Sequence, residues 1–230
     1  MAIYVWCEDS KSGFQFWKAL FKEIHPDFIT ETQRNNSRLS KNAGKITDDG
    51  NTYYIIIDTA VDNADVLREM ARLNRNIAGK NNIKLIKVHS FEFTLLSFEY
   101  LENWVFSEDD ELKERRSNYI AAKNSFIKLV NTGDNADELN KFRSVYDFSD
   151  KYNTEKIAAK LLYEITRNTG FETDKSKIGE CFINSCCEWS DREDDDACGL
   201  DNSRLNANEK MKEITYHSIL NAAFKEANLL

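Results

Sequence analysis

Two periods organise the apolar positions in the first hundred residues. Ile3–Cys7 is an unbroken apolar run, β-branched and aromatic, that fits a strand buried on both faces. Glu8 and Asp9 end it abruptly. Phe14, Trp17, Leu20, Phe21 and Ile24 then recur at helical spacing, with Ser12 and Gln15 placed as a capping box at the helix entry. His25-Pro26-Asp27 breaks that helix, and Phe28–Thr32 reads as a second strand. Gln33 to Asn51 carries Arg34, Arg38, Lys41 and Lys45 among Asn, Ser and Gly with almost no apolar anchor. A long surface loop is expected there, either solvated or a basic arm that touches phosphates.

Tyr53–Ile57 is the strongest strand in the chain, and like the first it ends on an acid, Asp58. Asp62 or Asn63 can cap the next helix, with Val66, Met70, Leu73 and Ile77 as its buried stripe and Gly79 as its stop. Ile83–Val88 gives a fourth strand. It runs into an aromatic-rich segment, helical after Ser90, in which Phe91, Leu95, Phe98 and either Leu101 or Glu102 share a face. This alternation predicts an α/β fold with a mostly parallel sheet of about four strands and helices on both faces, over residues 1–105. From 106 to 230 a mainly helical lobe is expected. One of its helices starts at the acids 108–111 and runs through Val130, one spans Thr154 to Asn168 with Gly170 as its stop, and one spans Ala207 to Asn228.

Composition adds constraints. At 230 residues with 41% hydrophobic content the chain can bury one good core with an appended lobe. A net charge of −8 argues against wholesale electrostatic binding of nucleic acid, but it allows a local basic groove beside metal-binding acids. No apolar run reaches membrane-spanning length and no signal-peptide pattern opens the chain, so a cytoplasmic protein with no membrane association is expected.

Three strand ends are each followed by a carboxylate: Glu8, Asp58 and Glu92. Any one of them alone suits a helix N-terminus. Three on the carboxyl edge of one parallel sheet would repel one another, and a hard divalent cation such as Mg²⁺ or Mn²⁺ removes that conflict. An ion so held activates water and stabilises a departing oxygen in phosphodiester cleavage. Lys11, Arg34 and Arg38 are candidate phosphate contacts. His89 reads as a hydrogen-bonded structural residue before a proton shuttle.

The motifs Val5-Trp-Cys-Glu-Asp-Ser-Lys-Ser-Gly-Phe-Gln-Phe-Trp17, Ile55-Ile-Ile-Asp58 and Ser90-Phe-Glu-Phe-Thr-Leu-Leu-Ser-Phe98 resemble the TOPRIM fold. Within it they are similar to the RloB-like group of bacterial defence and restriction loci and its relatives among the overcoming-lysogenization-defect nucleases. The resemblance covers roughly the first 105 residues. It implies a metal-dependent nuclease acting on DNA or RNA in anti-phage defence, with Glu8 and Asp58 in the metal-binding positions and an ATPase or other defence-system protein as partner. The chain departs from the pattern in two places. Ala60 stands where Asp-x-Asp would put its second acid, and Asp9 stands in place of the glycine after the first Glu. Asp9 and Asp62 are then candidate replacements in a set of Glu8, Asp9, Asp58, Asp62 and Glu92. The alternative is a non-catalytic binding or sensor module, and a small phosphotransfer or hydrolytic enzyme is a third reading.

Four of the five cysteines fall late in the chain: Cys181, Cys186, Cys187 and Cys198. Four thiols in a short region suit a tetrahedral zinc site, with His217 replacing one of the adjacent pair; reduced, partly buried cysteines are the default. Cys7 reads as a small buried apolar residue, and the run Asp191–Asp196 as a solvated acidic loop.

Overall fold

The computed structural model describes residues 1–60, 62–106, 109–133, 136–186 and 205–230. The four expected strands form: β1 (Ile3–Cys7), β2 (Phe28–Thr32), β3 (Thr52–Asp58) and β4 (Ile83–Val88). They make one all-parallel sheet in the order β2-β1-β3-β4. The two unbroken apolar runs take the centre: β3 is covered on both faces, whereas β1 buries Val5 and Cys7 on one face and leaves Tyr4 and Trp6 half-buried on the other. The more polar strands, with Glu31 on β2 and Lys84 and Lys87 on β4, take the edges.

Helices α1 (Ser12–Ile24), α2 (Asn36–Ala43) and α3 (Ala64–Ile77) make the crossovers. Along β3 the pleat sends Tyr54 and Ile56 to one face, and Tyr53, Ile55 and Ile57 to the other. The first face packs on Phe16, Trp17, Leu20 and Phe21 of α1. The second packs on Leu39 and Ala43 of α2, Ile46, and Leu73 of α3, with Met70 and Ile77 half-buried at its margin. Gly79 follows α3 at φ +80°, the left-handed turn expected of its stop signal.

Two local expectations fail in this half. The stretch from Gln33 to Asn51 is not a continuous loop, because α2 occupies its first part. The Asn35 side chain caps α2 by accepting from the Arg38 backbone N–H, and Leu39, Ala43 and Ile46 recur at helical spacing. So few anchors would not hold an isolated helix. Packing against α3 does, helped by Asn76, which donates to the Ser40 carbonyl and hydroxyl. The capping box at Ser12 and Gln15 is also absent. Ser12 is buried as the first helical residue, and α1 begins without a side-chain cap.

Beyond residue 90 the described elements are helices: α4 (Phe91–Leu96), α5 (Leu101–Phe106), α6 (Asp110–Arg115), α7 (Ser117–Thr132), α8 (Ala136–Val145), α9 (Thr154–Thr166), α10 (Glu180–Ile183), α11 (Ala207–Tyr216) and α12 (Leu220–Glu226). Their buried side chains, among them Ile157, Leu161, Met211 and Phe224, form one continuous cluster with Val5, Ile56 and Ile86 of the sheet. The helix expected from the acids at 108–111 to Val130 is broken between α6 and α7. There the buried Arg116 guanidinium donates to the Ile165 and Arg167 carbonyls, a demand that a continuous apolar stripe does not reveal. The last expected helix is likewise divided, between Tyr216 and Leu220. Helix α9 stops at Thr166, ahead of Gly170, with Asn168 in the left-handed region at φ 58°. Glu108 and the acidic run Asp191–Asp196 lie outside the described residues. Among the described residues no helix is long and apolar enough to cross a membrane.

Candidate functional site

Parallel pairing brings the strand ends together. Glu8 follows β1, and Asp58 closes the neighbouring β3, opposite Val88 on β4. Ser90 then caps α4 by accepting from the Phe93 backbone N–H, which fixes Glu92 in the first helical turn. Glu8 lies within hydrogen-bonding reach of Asp58 and of the Asn36 amide at the head of α2. Asp9, Glu92 and Glu155 are close enough to act electrostatically on Asp58, as Glu8 does.

The electrostatics of this cluster are unfavourable for five anions. Burial first, and then Asp9, pushes Glu8 up to about 7. Asp9 is raised to about 6 by burial, against the indole of Trp17, which donates to its carboxylate at 3.0 Å. Glu92 is raised to about 7 by burial, with Asp9 adding to it. Asp58 is held well above the carboxylate range by burial and then by Glu8, Asp9, Glu155 and Glu92. Two carboxyls in hydrogen-bonding reach can bond only by sharing a proton, and a cation would take that proton's place. Among the described residues none of the five is in an ion pair with Lys, Arg or His.

Three of these acids, Glu8, Asp9 and Glu92, line a cleft of about 300 Å³ together with Lys11, Arg34 and Lys175. Gly13 faces it too. A Cβ at Gly13 would collide with the Asp9 carboxylate, so the glycine is what lets Asp9 lie across the start of α1. Arg34 holds φ 70°, left-handed for a non-glycine residue, with its backbone N–H donated to the Thr32 hydroxyl at 3.0 Å. Arg38 is exposed on α2 and does not line the cleft. A larger depression of about 510 Å³ lies at the opposite, amino end of the strands among Thr47, Asn51, Gly79 and Asn82, away from the acids.

Asp62 has a different environment. Its carboxylate accepts from the Thr154 backbone N–H at 2.8 Å and from the Thr154 hydroxyl at 2.6 Å, with an Arg143 guanidinium nitrogen 4.0 Å away. Because that hydroxyl donates to Asp62, it accepts from His89 Nε2–H at 2.9 Å, which leaves His89 Nδ1 as a bare, buried and unpaired nitrogen. Burial lowers His89 to about 4, against the pull of Asp62. The histidine is thus neutral and structural, its ring tilted against Phe93 at a centroid distance of 4.8 Å.

Sequence reasoning missed Glu155, Asn36 and Lys175. Glu155 sits in the first turn of α9, where an acid reads as a partner for the helix dipole. The bond it accepts from Asn63 at 2.8 Å ties it to the sheet edge, while the one from Asn153 at 3.1 Å is local to the start of α9. No local signal marks it.

As a donor set, the carboxylates suit a hard divalent ion: all oxygen, half-buried and, among the described residues, without cationic partners. As the side chains stand, no three or more His, Cys, Asp or Glu among the described residues are arranged as a coordination group. The late cysteines are only partly visible. Cys181 and Cys186 are half-buried, while Cys187 and Cys198 lie outside the described residues. His217 is engaged by Glu99 at 3.2 Å and Glu213 at 3.6 Å. No protein-family model, curated protein or solved structure matches the chain.

Proposed function

We propose that the chain is a divalent-metal-dependent nuclease of TOPRIM type that cleaves DNA or RNA phosphodiesters, the resemblance adding anti-phage defence or restriction as its setting. The observation that carries this reading is the Glu8–Asp58 carboxyl pair on adjacent strand ends, with Asp9, Glu92 and Glu155 around it and, among the described residues, no cation paired to any of them. Glu8 and Asp58 would hold Mg²⁺ or Mn²⁺, with Asp9 or Glu92 completing the set. When bound, the ion supplies Lewis-acid activation of water and neutralises charge on the leaving oxygen. The chain's own contribution is positioning. Lys11, Arg34 and Lys175 on the cleft wall orient the phosphodiester, and Trp17 and Gly13 fix Asp9.

The test is cleavage of labelled DNA and RNA by wild type and Glu8→Gln in Mg²⁺ or Mn²⁺, alone and with an ATPase partner. Alongside it, thermal denaturation is run with and without the ion. The reading expects wild-type cleavage and ion-dependent stabilisation, both lost in Glu8→Gln while the fold is kept. A wild type that neither cleaves nor responds to a divalent ion sinks it.

A second reading, a non-catalytic TOPRIM-like binding or sensor module, has one observation in its favour. Ala60 replaces the second acid of the motif, and Asp62, the candidate substitute, is engaged by Thr154 and Arg143. Nucleic-acid binding without cleavage in any divalent ion would select it.

A further inference from the structure

Helix α9 presents two faces. Ile157, Ala158, Leu161, Leu162 and Ile165 are buried in the core. Lys156, Lys160 and Tyr163 recur at i, i+4 and i+7 on another stripe. With Tyr152 ahead of the helix and Lys175 from the facing segment, that stripe walls a groove of about 380 Å³, within the roughly 300–1,000 Å³ range of small-ligand clefts. Glu92 and Lys175 line both this groove and the acid cleft, so the two are contiguous.

The groove's chemistry is aromatic and cationic. Tyr152 and Tyr163 are half-buried, leaving ring surface free. Lys160 is held by Glu164, and its ammonium stands 5.9 Å from the centre of the Tyr163 ring. Lys156 and Lys175 are exposed and have no carboxylate partner among the described residues. Asp174 on the same wall is occupied by its own turn, accepting from the Ser176 N–H and hydroxyl and the Lys177 N–H.

We infer that this groove seats an unpaired base of a single-stranded nucleic acid, stacked on Tyr163 or Tyr152, with Lys156 and Lys175 on the flanking phosphates and the strand running on into the acid cleft. The inference rests on the nuclease reading for what happens in that cleft, and it adds the substrate class. Aromatic rings beside cations are the recurring means of holding single strands. A base inside a duplex has both faces stacked and cannot enter a walled groove without being flipped out.

The experiment measures binding of a short labelled oligonucleotide to the full chain in EDTA, so that neither metal nor cleavage enters. Single-stranded DNA and RNA are compared with the matching duplex and with a mononucleotide competitor. Single strands are expected to bind at least tenfold tighter than duplex. Tyr163→Ala should weaken them by roughly tenfold and Tyr163→Phe should not, because the stacking face is kept. Lys156→Glu and Lys175→Glu, at exposed positions that leave the core intact, should weaken binding and flatten its salt dependence by about 0.7 in log–log slope for each phosphate no longer neutralised. Equal or tighter duplex binding, binding indifferent to these changes, or a mononucleotide competing as well as the oligonucleotide would each overturn the inference. Cleavage in Mg²⁺ with binding indifferent to the groove variants would remove the groove and leave the nuclease reading. Groove-dependent binding without cleavage would do the reverse.

Discussion

Asp58 and Asp62 carry the same side chain four residues apart, one closing a strand and one just past it, and their surroundings have opposite electrostatic signs. Asp58 faces four other carboxylates and is pushed well above its ordinary range. Asp62 receives two hydrogen bonds at the head of α9 and has Arg143 within 4.0 Å. An acid that the protein has already satisfied serves the fold; an acid left buried among its own kind is the sort that the proposed metal site would draw on. The second half of the chain makes this division, since Thr154 and Arg143 engage one aspartate while Glu155 adds charge beside the other.

The comparison can be broken most decisively by removing each carboxylate in turn. Asp58→Asn should abolish divalent-ion-dependent stabilisation and cut cleavage by more than the roughly 10–100-fold that loss of outer-shell support costs a metal site. Asp62→Asn should leave the ion response in place, as read by thermal denaturation with and without Mg²⁺. If Asp62→Asn loses the response and Asp58→Asn keeps it, the assignment is reversed. Next in size is stability. Asp62→Ala should lower it by about 1–3 kcal/mol in denaturant unfolding, because Thr154 loses its acceptor and Arg143 its nearby anion. Gly13→Ala should cost about 1–3 kcal/mol by overpacking against Asp9, with a weaker ion response as the sign that Asp9 has moved.

A separate effect is the pH dependence of metal-free stability. Glu8 and Glu92 at about 7 and Asp9 at about 6 sit above their unfolded values, so the folded state binds protons more tightly through that window. Stability should therefore rise as pH falls from about 8 toward 5. His89, lowered to about 4, works the other way below its ordinary value, but it is one group against several. Mg²⁺ should flatten the profile, and so in part should Glu8→Gln. A metal-free profile that climbs with pH across this range would mean that the acids are not strained.

Much of the fold was legible from local pattern. Unbroken apolar runs such as Tyr53–Ile57 marked strands covered on both faces, and Gly79 marked the end of α3. Helix α2 was not legible, because its three anchors count only once α3 is beside them. Arg116 was not either, since a charged residue in a helical stretch gives no sign that it will be buried against carbonyls fifty residues away.

For the site, the sequence by itself determined that Glu8, Asp58 and Glu92 would stand at the carboxyl edge, because strand ends and helix entries are set by short-range periodicity and capping. Only the tertiary structure decided which acids remain uncompensated. Asp62 was withdrawn by Thr154, and Glu155 was delivered from a helix that local pattern placed with no relation to the sheet. The physical reason is range. Hydrogen bonding along a helix or strand acts over a few residues, whereas the burial and Coulomb forces that set a carboxylate's charge depend on whatever the fold brings within several ångströms.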